Sequence, residues 1–150
     1  MGSWHRLESP QCRALGCEPA RHVPPFNSLK VLLMHHLYGI SQCDTVKKAR
    51  QWLQSQGAEF VFHDFKKEPP TPAQCLRWAE LLGPQRLINR KGSTWRQLTP
   101  DEQANSDTIA GAAAIAQAHP SAIKRPVVEW ACGELSVGFD VAAWTQRLQA

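Results

Sequence analysis

Cys43 is the residue in this chain whose setting most favours covalent chemistry. The stretch LYGISQCDTVKKARQWL, residues 37–53, runs from apolar residues through a glycine to this cysteine and then into a basic helical pattern. A thiol at the start of a helix meets free backbone N–H groups and the positive end of the helix dipole. Such surroundings lower a cysteine pKa from about 8.5 into the range of about 3.5–7.5. The pattern predicts a nucleophilic thiolate, and the alternative is a small apolar core residue.

Neighbouring residues strengthen the prediction of an ionised thiol. Lys47 adds a positive charge one turn into the helix, and the hydroxyl of Thr45 or Ser41 is close enough in sequence to donate a hydrogen bond to the sulfur. Both effects favour the charged form of an acid. We therefore assign Thr45 and Lys47 as supporting residues of Cys43.

Two arginines are candidates for holding an anionic substrate beside the thiolate, because arginine binds oxyanions through paired hydrogen bonds. Arg90 lies in the glycine-bearing loop of LINRKGSTWRQL, and Arg125 stands directly before Pro126 in AIKRPVV. A proline that opens a strand at this point is a candidate for a cis peptide bond, which would bring Arg125 up to the cysteine. We predict that Arg90 and Arg125 bind substrate and that Pro126 supports them. The alternative for each arginine is a solvated surface position.

Metal and nucleic-acid sites are less favoured by the sequence. Cys12, Cys17 and His22 do not have the spacing of a zinc motif. His35 and His36 are adjacent on a predicted strand, so their side chains point to opposite faces and cannot easily share one ion. The basic residues are not interleaved with aromatic ones, which disfavours direct nucleic-acid binding. We predict no metal and no nucleic-acid contact.

Length and composition indicate one globular domain. The chain has 150 residues, of which 43% are hydrophobic and 20% charged, and a formal net charge of +4. It has no apolar run near the ~20 residues that span a bilayer and no secretory signal pattern. The five cysteines are odd in number and irregularly spaced, which is typical of free thiols in a reducing compartment. We expect a cytoplasmic monomer that does not bind membranes.

The order of predicted elements defines a fold class. Residues 1–33 contain several prolines and no regular period, which indicates a disordered leader before a domain over 34–150. The strand KVLLMHHLY, a helix with apolar Val46, Ala49 and Leu53, and the strand EFVFHDF form a right-handed β-α-β unit.

A helical stretch over about 71–119 then precedes the C-terminal part of the domain. That stretch has capping boxes at Thr71 and Thr99, and a β-hairpin and a last helix capped by Asp140 follow it. This order predicts an α/β thioredoxin-like fold with an inserted helical subdomain.

Four ordered motifs give the chain a family resemblance. LYGISQCDTVKKARQWL, FHDFKKEPPT, LINRKGSTWRQL and AIKRPVV together resemble the arsenate-reductase-like family, and CDTVKKAR and RKGSTWR are most similar to its YffB-type branch. The resemblance implies a thioredoxin-like fold with a helical insertion, Cys43 as nucleophile, Arg90 and Arg125 as anion-binding residues, and Pro126 as a cis-proline. The family's third arginine falls near Gly138 here, which removes roughly 1.5–3 kcal/mol of anion binding. Arsenate itself is therefore not assigned as substrate.

The resemblance and the cysteine positions together limit the mechanism. Val46 occupies the second position of a Cys-x-x-Cys motif and cannot resolve a mixed disulfide. With no bound cofactor, the electrons would come from glutathione, with or without a glutaredoxin, and would reduce a small oxyanion or a disulfide. The alternative function is a regulator of the Spx type, which binds RNA polymerase without redox turnover.

Overall fold

The computed structural model describes residues 34–149, and its centre is one four-stranded sheet. The strands are β1 (His35–Gly39), β2 (Phe60–Asp64), β3 (Val127–Glu129) and β4 (Leu135–Val137). Their order across the sheet is β2-β1-β3-β4. β1 and β2 are parallel, whereas β1 with β3 and β3 with β4 are antiparallel. β1 therefore lies inside the sheet, where the loop that follows it is flanked by β2 on one side and β3 on the other.

Seven α-helices within the described residues surround this sheet. They are α1 (Asp44–Ser55), α2 (Pro72–Leu82), α3 (Pro84–Leu87), α4 (Ser93–Gln97), α5 (Pro100–Asn105), α6 (Ile109–Ala118) and α7 (Val141–Gln149). One 3-10 turn, Pro120–Ala122, precedes β3. No helix of the described part of the chain has the length and apolarity needed to cross a membrane.

Helices α1 and α7 cover one face of the sheet. The buried residues on this side are Leu37, Val46, Ala49, Leu53, Val128, Trp130 and Trp144. Val46, Ala49 and Leu53 recur at helical spacing, whereas Leu37 and Val128 sit opposite each other on neighbouring strands. Burying one such aliphatic side chain contributes about 1.5–3 kcal/mol. This packing fixes α1, and hence its first residue, against the sheet.

The helical subdomain covers the opposite face. Its helix α2 buries Cys75, Trp78, Ala79 and Leu82 as the sequence predicted, and α6 packs against α2. Both capping boxes form: the Thr71 hydroxyl accepts from the Gln74 N–H in α2, and a second box at Thr99 begins α5. The two predicted helix starts are therefore confirmed.

The predicted fold class is confirmed as an α/β thioredoxin-like arrangement of β-α-β, helices and β-β-α. The hairpin turns at Gly133, whose positive φ of 88° suits glycine. Asp140 caps α7 by accepting the Ala143 N–H at 2.9 Å. The predicted leader over residues 1–33 lies outside the described residues.

Truncation of Trp78 tests the core between α2 and the sheet. Trp78 is fully buried, whereas Leu81 on the same helix is 61% exposed. We expect Trp78→Ala to lower the free energy of unfolding by about 3–5 kcal/mol through lost burial and a cavity. Leu81→Ala is the matched control, with an expected change within about 0.5 kcal/mol. Urea unfolding followed by circular dichroism measures both, and similar losses in the two variants would contradict the assignment.

Candidate active site

Cys43 is the residue that immediately precedes α1, and the local backbone places its side chain over the helix start. Its own N–H donates to the Ile40 carbonyl at 3.0 Å, and its carbonyl accepts from the Lys47 N–H at 3.0 Å. Gly39 lets α1 come close to β1, because a Cβ there would lie 2.7 Å from a methyl carbon of Val46. The half-buried thiol therefore sits above the free amides of the first helical turn.

Three hydrogen bonds and one nearby positive charge lower the pKa of Cys43, and burial of the thiol raises it. Burial by itself raises the pKa of the thiol, because it disfavours the charged form. Hydrogen bonds from the Val46 N–H, the Arg125 side chain and the Thr45 N–H, together with the positive charge of Arg125, lower it. The lowering effects outweigh burial, so the pKa of Cys43 lies below its ordinary value. This is the behaviour expected of a nucleophilic cysteine.

Arg125 reaches the thiol from the start of β3. The Arg125–Pro126 peptide bond is cis, as the sequence suggested, and Pro126 is buried. The guanidinium Nη1 donates to the Ser121 carbonyl at 2.8 Å, which fixes the side chain. Its Nε is buried and has no hydrogen-bond partner among the described residues. The structure therefore brings Arg125 to Cys43 with donor capacity still unused.

Arg90 has different surroundings. Its Nη2 lies 2.6 Å from an oxygen of Asp107 and 3.2 Å from the Ser106 hydroxyl, and its guanidinium lies 5.3 Å from the ring centre of Trp95. The hydrogen bond from Arg90 lowers the pKa of Asp107. These contacts all lie within the helical subdomain, so substrate binding by Arg90 stays a prediction.

The predicted supporting residues act in ways that the sequence did not specify. Thr45 donates its backbone N–H to Cys43. Lys47 forms an exposed ion pair with Asp44, at 3.7 Å, and is not among the groups that lower the pKa of Cys43. The hydroxyl of Ser41 donates to Asp64. The sequence analysis predicted that hydroxyl groups donate hydrogen bonds to the Cys43 sulfur. Backbone N–H groups donate them instead.

Asp64 is a residue beside the site that the sequence analysis did not assign to it. It ends β2, is buried, and accepts hydrogen bonds from the Ser41 hydroxyl, the Lys66 N–H at 3.0 Å and the Ser41 N–H. These bonds tie the loop before Cys43 to the neighbouring strand. The position of an aspartate at the end of a strand parallel to β1 was the available signal, because both strand ends meet at one edge of the sheet.

The remaining cysteines of the described residues do not compete with Cys43. Burial raises the pKa of the Cys75 thiol to about 11, so Cys75 stays protonated at neutral pH. Cys132 is exposed in the hairpin turn. Within residues 34–149, no group of three or more His, Cys, Asp or Glu side chains could hold a metal ion. The candidate cluster of Cys12, Cys17 and His22 lies outside the described residues.

Comparisons with known proteins find relatives over most of the described residues. The ArsC family model matches residues 38–146. An uncharacterised protein of Haemophilus influenzae is 37% identical over 105 residues, which cover 69% of this chain and 90% of that protein. A solved structure named YffB is 40% identical with a TM-score of 0.72 and covers 77% of this chain and 99% of its own. An arsenate reductase (ArsC) related protein from Brucella melitensis is 39% identical with a TM-score of 0.61, covering 78% and 96%. The resemblance inferred from the four motifs is confirmed.

Replacement of Arg125 tests its effect on the thiol. Arg125→Gln removes a positive charge and a hydrogen bond from Cys43, so a smaller fraction of the thiol is ionised at neutral pH. We expect alkylation of Cys43 by iodoacetamide to slow by about three- to tenfold, as measured by peptide mass spectrometry. Arg86→Gln, an exposed charge loss on α3, is the control. An unchanged rate in Arg125→Gln would show that the guanidinium does not act on the sulfur.

Replacement of Asp64 tests the bond between β2 and the Cys43 loop. Hydrogen bonds from Ser41 and Lys66 hold the pKa of Asp64 below its ordinary value. A lowered folded-state pKa stabilises the fold fully above the unfolded value of about 3.9, and this contribution is lost as pH falls through the lowered pKa. We therefore expect Asp64→Asn to cost about 1–3 kcal/mol at neutral pH and less in acid. Unfolding at several pH values measures this, with exposed Glu80→Gln as control, and a loss independent of pH would contradict it.

Proposed function

Because the chain belongs to the ArsC family, we propose that it is a thiol-dependent reductase in which the Cys43 thiolate attacks a small oxidised substrate. The substrate is an oxyanion or a disulfide. The observation that carries the proposal is the set of donors on one sulfur: two backbone N–H groups and the Arg125 guanidinium lower the pKa of Cys43. A thiolate held in this way is both a nucleophile and a good leaving group.

The reaction with a disulfide needs only thiol exchange. The Cys43 thiolate bonds to one sulfur of the substrate, the substrate S–S bond breaks, and the other sulfur leaves as a thiolate that takes a proton from water. A thiolate of glutathione then attacks the substrate sulfur of the mixed disulfide. Cys43 leaves as a thiolate, and glutathione ends in a mixed disulfide with one half of the substrate, while the other half has already left as a thiol. A second glutathione displaces the remaining half, so that two glutathione molecules together supply the two electrons and end as glutathione disulfide.

The reaction with an oxyanion also begins with attack by the Cys43 thiolate and is completed by two external thiols. The Cys43 thiolate displaces hydroxide from the oxidised centre, and one glutathione attacks the Cys43 sulfur, so that the centre leaves reduced by two electrons. A second glutathione then releases Cys43 and forms glutathione disulfide. Arg125 is the residue proposed to hold the oxyanion; its contact with the thiol and its unpaired Nε support this role.

External thiols are proposed because no second thiol is well placed within the described residues. Val46 stands at the second position of the Cys-x-x-Cys pattern, Cys75 is buried, and Cys132 lies in the exposed hairpin turn. Glutathione is therefore the proposed reductant, with a glutaredoxin as an optional partner in releasing the mixed disulfide. This assigns the whole redox cycle to a single protein sulfur.

Gly138 argues against arsenate as the preferred oxyanion. The resemblance places a third anion-binding arginine near this residue, but Gly138 has a φ of +84°, a conformation that favours glycine. Its N–H donates to the Pro126 carbonyl at 2.8 Å, so the backbone here supports the cis-proline. We propose that this segment serves the geometry of Arg125 and Pro126 and does not supply a third guanidinium.

Incubation with glutathione disulfide tests the proposed function. We expect a glutathione adduct on Cys43 and none on Cys75, because Cys43 is half-buried with a lowered pKa, whereas Cys75 is fully buried with a raised pKa. Cys43→Ser removes the adduct and the glutathione-dependent reduction of hydroxyethyl disulfide. Cys132→Ser is the control that keeps both. Intact Cys43 without an adduct, with RNA polymerase retained equally by wild type and Cys43→Ser, would instead support the regulatory alternative.

A further inference from the structure

A charged cavity lies beside the Cys43 loop, on the side away from Arg125. It has a volume of about 300 Å³ and is lined by Ser41, Arg50, Phe62, Asp64, Lys67 and Glu68. We propose that this cavity binds a carboxylate of the thiol or disulfide that reacts at Cys43, with Arg50 as its principal contact. The inference rests on the proposed function and names the class of compound it takes: a small thiol or disulfide that carries a carboxylate.

Arg50 is held in place but has no anionic partner in the described part of the chain. Its guanidinium carbon lies 4.4 Å from the ring centre of Phe62, a cation–π contact that orients the planar group. Its Nε is buried without a hydrogen-bond partner, and no carboxylate among residues 34–149 forms an ion pair with it. A half-buried, oriented guanidinium without a carboxylate is suited to an anion from outside.

The acidic residues of the cavity are already engaged. Asp64 accepts from Ser41 and from the Lys66 N–H, and Glu68 lies 3.3 Å from the Nδ1 of His63. Arg50 and Lys67 are therefore the charged groups of the lining whose donors can turn to a ligand. The hydroxyl of Ser41 donates its hydrogen bond to Asp64. This bond fixes the Asp64 side of the cavity against the loop that carries Cys43.

The helix geometry puts Arg50 within reach of a compound attached to Cys43. Arg50 lies seven positions after Cys43, which is close to two helical turns, so Arg50 projects from the side of α1 on which the chain enters from Cys43, about 10 Å further along the axis. The Cα–Cβ bonds of a helix tilt towards its N-terminus, which is the end of α1 at which Cys43 lies. Lys47 lies between them and lines, with Arg50, a smaller depression of about 200 Å³. The long Arg50 side chain covers part of this distance, and a chain of several bonds between the sulfur and the carboxylate of the ligand covers the rest.

Arg125 and Arg50 lie on opposite sides of the loop that carries Cys43. Arg125 approaches from β3, and Arg50 covers Phe62 of β2, while the Cys43 loop follows β1 between those strands. A substrate whose reacting atom lies at Cys43 and Arg125 can therefore extend its carboxylate over Ser41 towards Arg50. A compound without a carboxylate lies against Cys43 and Arg125 but makes no ionic contact with Arg50.

A comparison of two disulfides tests the cavity. The measured quantity is the rate constant for mixed-disulfide formation at Cys43 with glutathione disulfide, divided by that with uncharged hydroxyethyl disulfide. We expect this ratio to fall about tenfold in Arg50→Gln, to fall less in Lys67→Gln, and to recover in part in Arg50→Lys. The ratio in wild type also falls as salt is raised. Arg96→Gln, an exposed charge loss on α4, is the matched control and keeps the ratio.

The outcomes separate this inference from the proposed function. An unchanged ratio in both Arg50→Gln and Lys67→Gln, or an equal fall in Arg96→Gln, overturns the carboxylate site while leaving the reductase proposal intact. If Cys43 forms no adduct at all, the reductase proposal fails, and binding of unreactive S-methylglutathione to the wild-type protein, followed by NMR, still tests the cavity. Shifts of the Ser41 amide and the Arg50 Nε–H that Arg50→Gln abolishes support it, and their absence overturns it.

Discussion

A half-buried sulfur is costly to ionise unless hydrogen-bond donors replace the water it loses, and the donors around Cys43 meet this requirement. The N–H groups of Val46 and Thr45 exist because α1 begins there, and their unpaired state is a property of any helix start. The Arg125 guanidinium adds a hydrogen bond and a positive charge, which also lower the pKa of the thiol. The close packing of α1 on β1 at Gly39 brings these groups to one point.

The sheet order explains why chemistry concentrates at this edge. β1 lies between β2 and β3, so the loop after β1 receives Asp64 from one neighbour and Arg125 from the other. Asp64 immobilises the loop through Ser41, and the Ser121 carbonyl immobilises Arg125. Residues far apart in sequence thus hold the nucleophile from two sides. The proposed carboxylate cavity lies on the β2 side of Cys43.

The parts of this protein that local sequence determines could be predicted, and the parts that depend on long-range contacts could not. Thr71 and Thr99 start helices through bonds to residues three positions away, so their motifs are readable directly. The position of Cys43 at a helix start also depends on neighbouring residues only, so it could be predicted. By contrast, the burial of Asp64 and the stacking of Arg50 on Phe62 depend on how α1 packs over the edge strand. Arg90 was predicted beside the substrate, yet its contacts depend on the fold of the subdomain around Asp107.

The central claim is that protein donors lower the pKa of the Cys43 thiol below that of an ordinary cysteine, and a direct titration tests it. The carbon-13 shift of the Cys43 Cβ, followed by NMR across the pH range in selectively labelled protein, reports the ionisation of this one thiol without any reagent. The account predicts a midpoint clearly below the ordinary cysteine pKa of about 8.5. A midpoint at or above that value would show that burial outweighs the donors and would contradict the account.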